Sequence, residues 1–421
     1  MESKPRTRFF YGWVIVAAGC IILVLEYGCQ YSYGIFFTEL RTDLGWTGTM
    51  VSGAYSLFMV VHGITYLLAG RFNDRHGPRL ALMISIIAVC AGYALMSTVT
   101  AEWQLYTFYG VIIAMGLSFG YMPVVSSVPR WFVRRRGTAL GITVAGIGMG
   151  TLVFAPLAQL LIFKFDWRLS YLILAGLFVT IAFPVSRLMK LDPAEKGLLP
   201  YGIEQTAGVT EAGDNSSPST VDFTVRQAIK TKSFWLLFTM YVLALVPVQM
   251  VMVHLKAYAV HWGIAEMTAA VALGLVGGVS IIGRIAMGSV SDRIGRKVSF
   301  IISFISMAVI MVWLMKARQP WQFYLFSAIF GFGYGGFVPL LPATVGDWFG
   351  MKFHGSIFGM LSLAVAIGGA AGPLLAGYVF DSFGSYDIAI IVGAAALFVA
   401  AGCSAAIRAP QISQPIQSSA L

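Results

Sequence analysis

One arginine stands alone in a long apolar stretch of the chain. Among the 25 residues 267–291, Arg284 is the only charged one. A cation at the centre of a bilayer-spanning helix costs about 2.5–3.5 kcal/mol or more, so it is expected to face a polar cavity. Helical spacing places Gly277, Ser280 and Gly288 on the same face. Because these side chains are small, we expect them to leave room for a ligand, and the pattern predicts an anion site at Arg284.

Two titratable side chains in other apolar stretches are candidates for carrying a proton. Glu26 is the only carboxylate well inside such a stretch, and His254 carries an imidazole, which titrates near neutral pH when unperturbed. Each also has a structural interpretation. Glu26 would hydrogen-bond to a neighbouring helix or pair with Arg284, and His254 would pack between helices.

Two tyrosines each follow a glycine in an apolar stretch. The pairs are Gly120-Tyr121 and Gly333-Tyr334. Glycine allows helices to approach closely and exposes the neighbouring phenol. Tyr121 and Tyr334 are therefore predicted to donate hydrogen bonds to a small ligand, with packing between helices as the alternative.

The composition is that of a membrane protein. Charged residues make up 11% of the chain, against about 25% in soluble domains. Hydrophobic residues make up 58%, and the mean hydropathy is +0.80. The first apolar stretch, 11–37, is longer than the apolar part of a cleavable signal peptide. The four cysteines lie in apolar stretches at unrelated spacings, which predicts free thiols and neither disulfides nor a metal site.

Apolar stretches of about 20 residues or more predict twelve transmembrane helices. They cover residues 11–37, 49–69, 80–99, 104–129, 137–163, 168–189, 234–260, 267–290, 298–316, 321–346, 354–380 and 387–407. A polar segment separates the sixth from the seventh. We therefore predict an all-α membrane protein made of a six-helix bundle at 1–190, a cytoplasmic linker at 191–233 and a second six-helix bundle at 234–421.

The net charge of +10 has two explanations, a polyanionic partner such as nucleic acid or the orientation of the helices in the membrane. Most of the 28 lysines and arginines lie on the side that carries the N-terminus. The opposite side has only Arg41, Lys164, Arg168, Lys316 and Arg318. This asymmetry follows the positive-inside rule. It predicts that both termini are cytoplasmic and requires no nucleic acid.

The two predicted bundles carry similar short sequences at equivalent places. GRFNDRHGPR at 70–79 follows the second predicted helix, and GSVSDRIGRK at 288–297 follows the eighth, 218 residues later. A Trp-Phe pair after the fourth helix returns after the tenth, 217 residues later. Parallel repeats of this kind place a substrate site between two bundles near the middle of the membrane.

These motifs resemble those of a known transporter family. The G-x3-D-R-x-G-x-R loop is similar to the signature of the major facilitator superfamily. Residues 130–150, RWFVRRRGTALGITVAGIGMG, resemble the fifth-helix motif of its monocarboxylate transporters and oxalate–formate antiporters. Arg284 with Gly288 is similar to their eighth-helix segment, whose arginine binds the substrate carboxylate. The resemblance implies the major facilitator fold and a bacterial homologue of the monocarboxylate transporters in the cell inner membrane.

The resemblance also implies a function. It is proton-coupled symport of a small monocarboxylate such as lactate or pyruvate by alternating access. The partners would be the monocarboxylate, the proton and the lipid bilayer, with no cofactor, metal or obligate protein partner. Arg284 would bind the carboxylate, and His254, Tyr121, Tyr334 and Tyr31 would surround it.

The chain departs from the family at three places. Ser280 stands where animal members have an aspartate one turn before the arginine, and Tyr31 stands where they have a lysine in the first helix. Residues 355–380 contain no Lys, Arg or His, although the antiporters have a second cation there. Because the family's proton-handling pair is missing, Glu26 or His254 is predicted to replace it.

The repeated loops have a separate role in the family. There they latch the two bundles together on the cytoplasmic side. The resemblance assigns this conformational role to Asp74, Arg75, Asp292 and Arg293.

Two further functions are compatible with the sequence. One is exchange of one carboxylate for another, and the other is a membrane-bound carboxylate sensor coupled to a soluble partner through the linker. An enzyme is not expected, because the chain has no G-x4-G-K-[ST] phosphate loop and no H-E-x-x-H metal motif.

Overall fold

The structure, a computed structural model, describes most of the chain. The described stretches are residues 10–132, 135–202, 223–350 and 353–410. Within them, the side chains of Leu67, Asp74, Arg136 and residues 354–356 are not described.

Twelve helices are long and apolar enough to span a membrane, as predicted. They are α1 Gly12–Asp43, α2 Gly48–Asn73, α3 Pro78–Met96, α4 Glu102–Trp131, α5 Thr138–Phe165, α6 Trp167–Leu188, α7 Lys232–His261, α8 Glu266–Ile294, α9 Arg296–Leu314, α10 Pro320–Phe349, α11 Ile357–Phe383 and α12 Asp387–Ala406. The described residues form no β-sheet, and the prediction of an all-α membrane protein is confirmed.

The sequence repeat is visible in how α2 and α8 end. The helical backbone of α2 continues to His76 and stops at Gly77, with φ of 82°; α8 stops at Gly295, with φ of 89°. Residues with a β-carbon rarely adopt this backbone conformation, which explains why glycine stands at both places. The Gly77 N–H donates to the Asn73 carbonyl at 2.8 Å, and the Gly295 N–H donates to the Ser291 carbonyl at 3.0 Å.

Two helices are irregular within the membrane-spanning part. In α4, residues Tyr106–Ile113 form a π-helical segment. In α10, the helix is interrupted at Val338 and Pro339 and resumes at Leu340. Proline lacks the N–H that would continue the helical hydrogen bonds, so it favours such a break.

The helices pack as two groups of six, α1–α6 and α7–α12. The groups meet where α2 packs on α11, α5 on α8, and α1 on α7. We call this surface the seam. The end of the seam beside residues 190–202 and 223–231 is named the linker end, and the opposite end, beside the α1–α2 and α7–α8 turns, is named the loop end. The domain limits at 190/191 and 233/234 stay a prediction.

Candidate substrate-binding site

Arg284 lies on α8 at the seam. Its Nη1 donates to the Val144 carbonyl of α5 at 2.9 Å. Its Nε and Nη2 atoms are buried and have no hydrogen-bond partner among the described residues. These two atoms form one edge of the guanidinium, and this edge donates two parallel hydrogen bonds to a carboxylate. The residue is therefore held by one of its nitrogens and offers the other two to a ligand.

Two of the predicted tyrosines join this arginine. The Arg284 guanidinium carbon lies 5.7 Å from the centroid of the Tyr334 ring. The Tyr334 and Tyr31 hydroxyls are 3.2 Å apart and share a hydrogen bond across the seam, from α10 to α1. The structure thus brings together Arg284, Tyr334 and Tyr31, which lie on three different helices.

Tyr121 belongs to the same aromatic cluster through Tyr27. The Tyr27 ring centroid is 5.7 Å from that of Tyr31 and 5.9 Å from that of Tyr121. Tyr66 adds a further ring, 5.2 Å from Tyr121. Tyr27 and Tyr66 were not among the site residues predicted from the sequence. Tyr27 lies four residues before Tyr31, so helical spacing would have placed the two on one face.

The predicted role of the small residues on α8 is wrong at two positions. A β-carbon added to Gly277 would overlap the Thr151 side chain of α5. The Ser280 backbone packs against Gly335 of α10 and leaves no space for a side chain there. These positions let helices approach closely and leave no room for a ligand. Of these three positions, Gly288 alone has no neighbour among the described residues within 4 Å of an added β-carbon.

Glu26 lies apart from Arg284. Among the described residues, no carboxylate lies within 4.0 Å of the Arg284 guanidinium, so the alternative of a structural ion pair with Glu26 is wrong. Glu26 is 2% exposed, and its Oε1 accepts a long hydrogen bond of 3.5 Å from Ser85. Its Oε2 is buried without a partner among described residues. A β-carbon at Gly120 would overlap the carboxylate, so this glycine makes the space that Glu26 occupies.

His254 is not part of the Arg284 cluster. Its Nε2 lies 3.0 Å from Ser52 Oγ and 3.0 Å from the Pro373 carbonyl, and its Nδ1 lies 3.2 Å from the Tyr386 hydroxyl. His254 is seven residues from the loop end of α7, whereas Arg284 is eighteen residues from the loop end of α8. At about 1.5 Å per residue the two differ in depth by roughly 16 Å. The structure therefore places His254 in a contact near the loop end.

The predicted latch residues make no contact across the seam among the described side chains. Asp292 pairs with Arg296 at 2.7 Å, and Arg296 also pairs with Asp347 at 3.1 Å, all within α8–α10. Arg75 and Arg293 are exposed. The side chain of Asp74 lies outside the described residues. Their latch role stays a prediction.

The family model of the Major Facilitator Superfamily matches residues 19–308 and 238–419. The chain belongs to this superfamily. The predicted resemblance is confirmed by relatives that carry the two expected names. Monocarboxylate transporter 12 of mouse is 25% identical over 399 residues, covering 91% of this chain and 82% of the relative. The oxalate:formate antiporter of Oxalobacter formigenes is 26% identical over 418 residues, covering 96% and 93%.

Solved structures give the same fold for this superfamily member. A bacterial homologue of the human lysosomal transporter Spinster, in an inward-facing and unoccupied conformation, superimposes with a TM-score of 0.75. The match covers 96% of this chain and 97% of that one, at 12% identity. The chain is a multi-pass membrane protein, and the relatives named above are transporters. The described residues hold no group of three or more metal-ligating side chains.

Proposed function

We propose that this protein moves a small monocarboxylate across the membrane together with a proton. The observation that carries the proposal is the free Nε and Nη2 edge of Arg284, buried at the seam between the two helix groups. A carboxylate completes this edge with two hydrogen bonds, and we assign the binding of the rest of a small acid to the hydroxyls of Tyr334, Tyr31 and Tyr121. The names of the relatives agree with this chemistry.

Charge favours an acid with one carboxylate. Arg284 is the only cation among the described residues of this cluster. A monoanion neutralises it, whereas a dianion leaves about one uncompensated charge in a poorly solvated cavity, which is costly. Lactate or pyruvate therefore suits the site better than oxalate.

Glu26 is the better candidate for the proton. It is buried, its Oε2 has no partner among the described residues, and the next residue, Tyr27, belongs to the aromatic cluster around the site. His254 already contacts three polar groups at a different depth. Binding of anion and proton together makes the loaded carrier nearly neutral, which lowers the cost of closing the protein around it.

We also propose how the protein is oriented in the membrane and how its two helix groups move during transport. The linker end faces the cytoplasm of a bacterial cell, with both termini on that side and the protein in the inner membrane. The six-helix groups at 1–190 and 234–421 rock against each other about the site, and the loops at Asp74, Arg75, Asp292 and Arg293 latch the cytoplasmic side when it closes. In the present structure the loop end is closed.

The first test is uptake of radiolabelled L-lactate into proteoliposomes, with and without an inward proton gradient. We expect accumulation that collapses when a protonophore is added. Glu26→Gln should lose this accumulation but keep counterflow of internal for external lactate, because exchange needs no net proton movement. Glu102→Gln, an exposed carboxylate at the start of α4, is the matched control. If Glu26→Gln accumulates lactate normally, the proton role passes to another residue, with His254 next.

Exchange is the second candidate, because a relative whose match covers 96% of this chain and 93% of its own is named as an antiporter. Uptake that ignores the proton gradient but requires a carboxylate inside the vesicles would favour it. Binding of lactate without any flux would indicate a sensor and would contradict both transport proposals.

A further inference from the structure

A buried lysine at the loop end joins the two helix groups. Lys256 of α7 is fully buried, with 0% exposure. Its Nζ donates to the Ile35 carbonyl at 3.1 Å and to Glu39 Oε1 at 3.1 Å, both on α1. Glu266 Oε2, at the start of α8, lies 3.6 Å from the same nitrogen. The cation is therefore held by one group from its own bundle and two from the other.

The network crosses the seam a second time. Gln159 of α5 donates through Nε2 to Glu266 Oε2 at 2.7 Å. Glu39 and Gln159 belong to the first six helices, while Lys256 and Glu266 belong to the second six. The four side chains thus connect α1, α5, α7 and α8 in one continuous set of contacts.

The partners of Lys256 come from both helix groups, so the contact between the groups can break while Lys256 keeps one partner. A buried ammonium without a counter-charge is strongly disfavoured. If the loop end opened, Lys256 would lose Glu39 and the Ile35 carbonyl but would keep Glu266, which moves with it. Glu39, already 21% exposed at its side chain, would pass into water. Opening is therefore costly without being prohibited, as a reversible closure requires.

We propose that Lys256, Glu39, Glu266 and Gln159 form a polar lock that holds the loop end closed and is released when the carrier opens to that side. Lys256 is the residue that regulates access to the Arg284 site from that side. The inference rests on the alternating-access part of the proposed function and is independent of which acid is carried.

The lock is tested by distance measurements on the full chain in lipid nanodiscs. Spin labels are attached at Thr98→Cys and Lys316→Cys, two exposed loop-end positions on opposite helix groups. The background has its native cysteines changed to serine: Cys20, Cys29, Cys90 and Cys403. Double electron–electron resonance then reports the populations with the loop end closed and open.

We expect Lys256→Gln and Glu39→Gln each to raise the ratio of open to closed populations by about fivefold or more. Glu39→Gln leaves the Lys256–Glu266 pair in place, so it keeps the test informative if Lys256→Gln fails to fold. The matched control is Asp43→Asn, also at the loop end, whose carboxylate pairs with Arg168 inside the first bundle at 3.6 Å.

Two results would overturn the lock. One is an unchanged distance distribution in both Lys256→Gln and Glu39→Gln. The other is an equal shift in Asp43→Asn, which would make the effect a general loss of surface charge. The readout needs no substrate, so a chain that fails to move lactate but opens in these variants removes the transported acid from the proposal and keeps the lock.

Discussion

The loop end of the seam and the centre of the seam use polar groups in opposite ways. At the loop end, polar groups from one bundle are matched by groups from the other. Asp381 of α11 accepts hydrogen bonds from the Gly48 and Thr49 backbone at the start of α2, and His254 contacts Ser52. At the centre, Arg284 keeps two buried nitrogens without a hydrogen-bond partner among the described residues.

We interpret this difference as a division of roles. The loop end holds the protein closed, and the centre recognises a ligand. A buried donor without an acceptor costs about 1–3 kcal/mol, and more when it is charged. The first region stabilises one conformation through polar contacts that join the two helix groups. The second region carries a local cost that a ligand removes when it binds. Three experiments can break or sharpen this contrast.

The largest expected effect is at the centre, in Arg284→Lys. Lysine keeps the charge but loses the two-pronged edge, so the carboxylate is held at one point instead of two. We expect the uptake efficiency for L-lactate to fall by about 30-fold, since losing one hydrogen bond between charged groups costs about 1.5–3 kcal/mol. The measurement is initial uptake rate against lactate concentration in proteoliposomes.

Arg187→Lys serves as the control for that experiment. Arg187 is exposed at the linker end and stacks on Phe183, away from the site. It should transport as the parent does. Normal uptake by Arg284→Lys would mean that the free guanidinium edge binds no substrate.

The next effect distinguishes packing from ligand space on α8. Gly277→Ala places a methyl group against Thr151, and overpacking of this kind costs about 1–3 kcal/mol. Gly288→Ala enters open space, and alanine favours helix by about 1 kcal/mol. We expect Gly277→Ala to melt several degrees below the parent in detergent, while Gly288→Ala melts at or above it. Equal melting temperatures would restore the sequence-based view that both glycines border a cavity.

Sequence reasoning was sufficient where the signal is local or repeated. The twelve helices are predicted by the length of the apolar stretches. Gly77 and Gly295, where α2 and α8 end, stand at equivalent positions of the repeated loop. Arg284 stands out because a lone charge in an apolar stretch requires a reason. Tyr334 was predicted from its glycine neighbour, and in the structure it lies beside Arg284. Tyr31 was predicted from its position in the family, and it contacts Tyr334.

The remainder depends on pairing between distant helices, which one sequence does not reveal. Lys256 lies within the seventh predicted helix, and nothing in the sequence pairs it with Glu39 or Glu266. Only the packing of α1 and α8 against α7 brings them to one nitrogen. The small residues of α8 were misread for the same reason, because a small side chain predicts a cavity and a close helix contact equally well until the neighbouring helix is known.

The smallest expected effect is at the one hydrogen bond that joins the two tyrosines across the seam. Tyr31→Phe removes the hydroxyl that meets Tyr334 at 3.2 Å and keeps the ring beside Tyr27. A single neutral hydrogen bond contributes about 0.5–1.5 kcal/mol, so the KM for lactate should rise about two- to tenfold. Stability should change little, because the Tyr31 ring keeps its place beside Tyr27.

Tyr33→Phe is the matched comparison on the same helix. Its hydroxyl donates to the Val51 carbonyl at 2.6 Å, a contact inside the first bundle and away from Arg284. Removing it leaves a buried carbonyl with one acceptor site unfilled, so the melting temperature should fall while the KM stays near that of the parent. If Tyr33→Phe raised the KM and Tyr31→Phe did not, the Tyr31–Tyr334 contact would be packing alone. Arg284 would then be the one residue left to distinguish the centre of the seam from its loop end in this comparison.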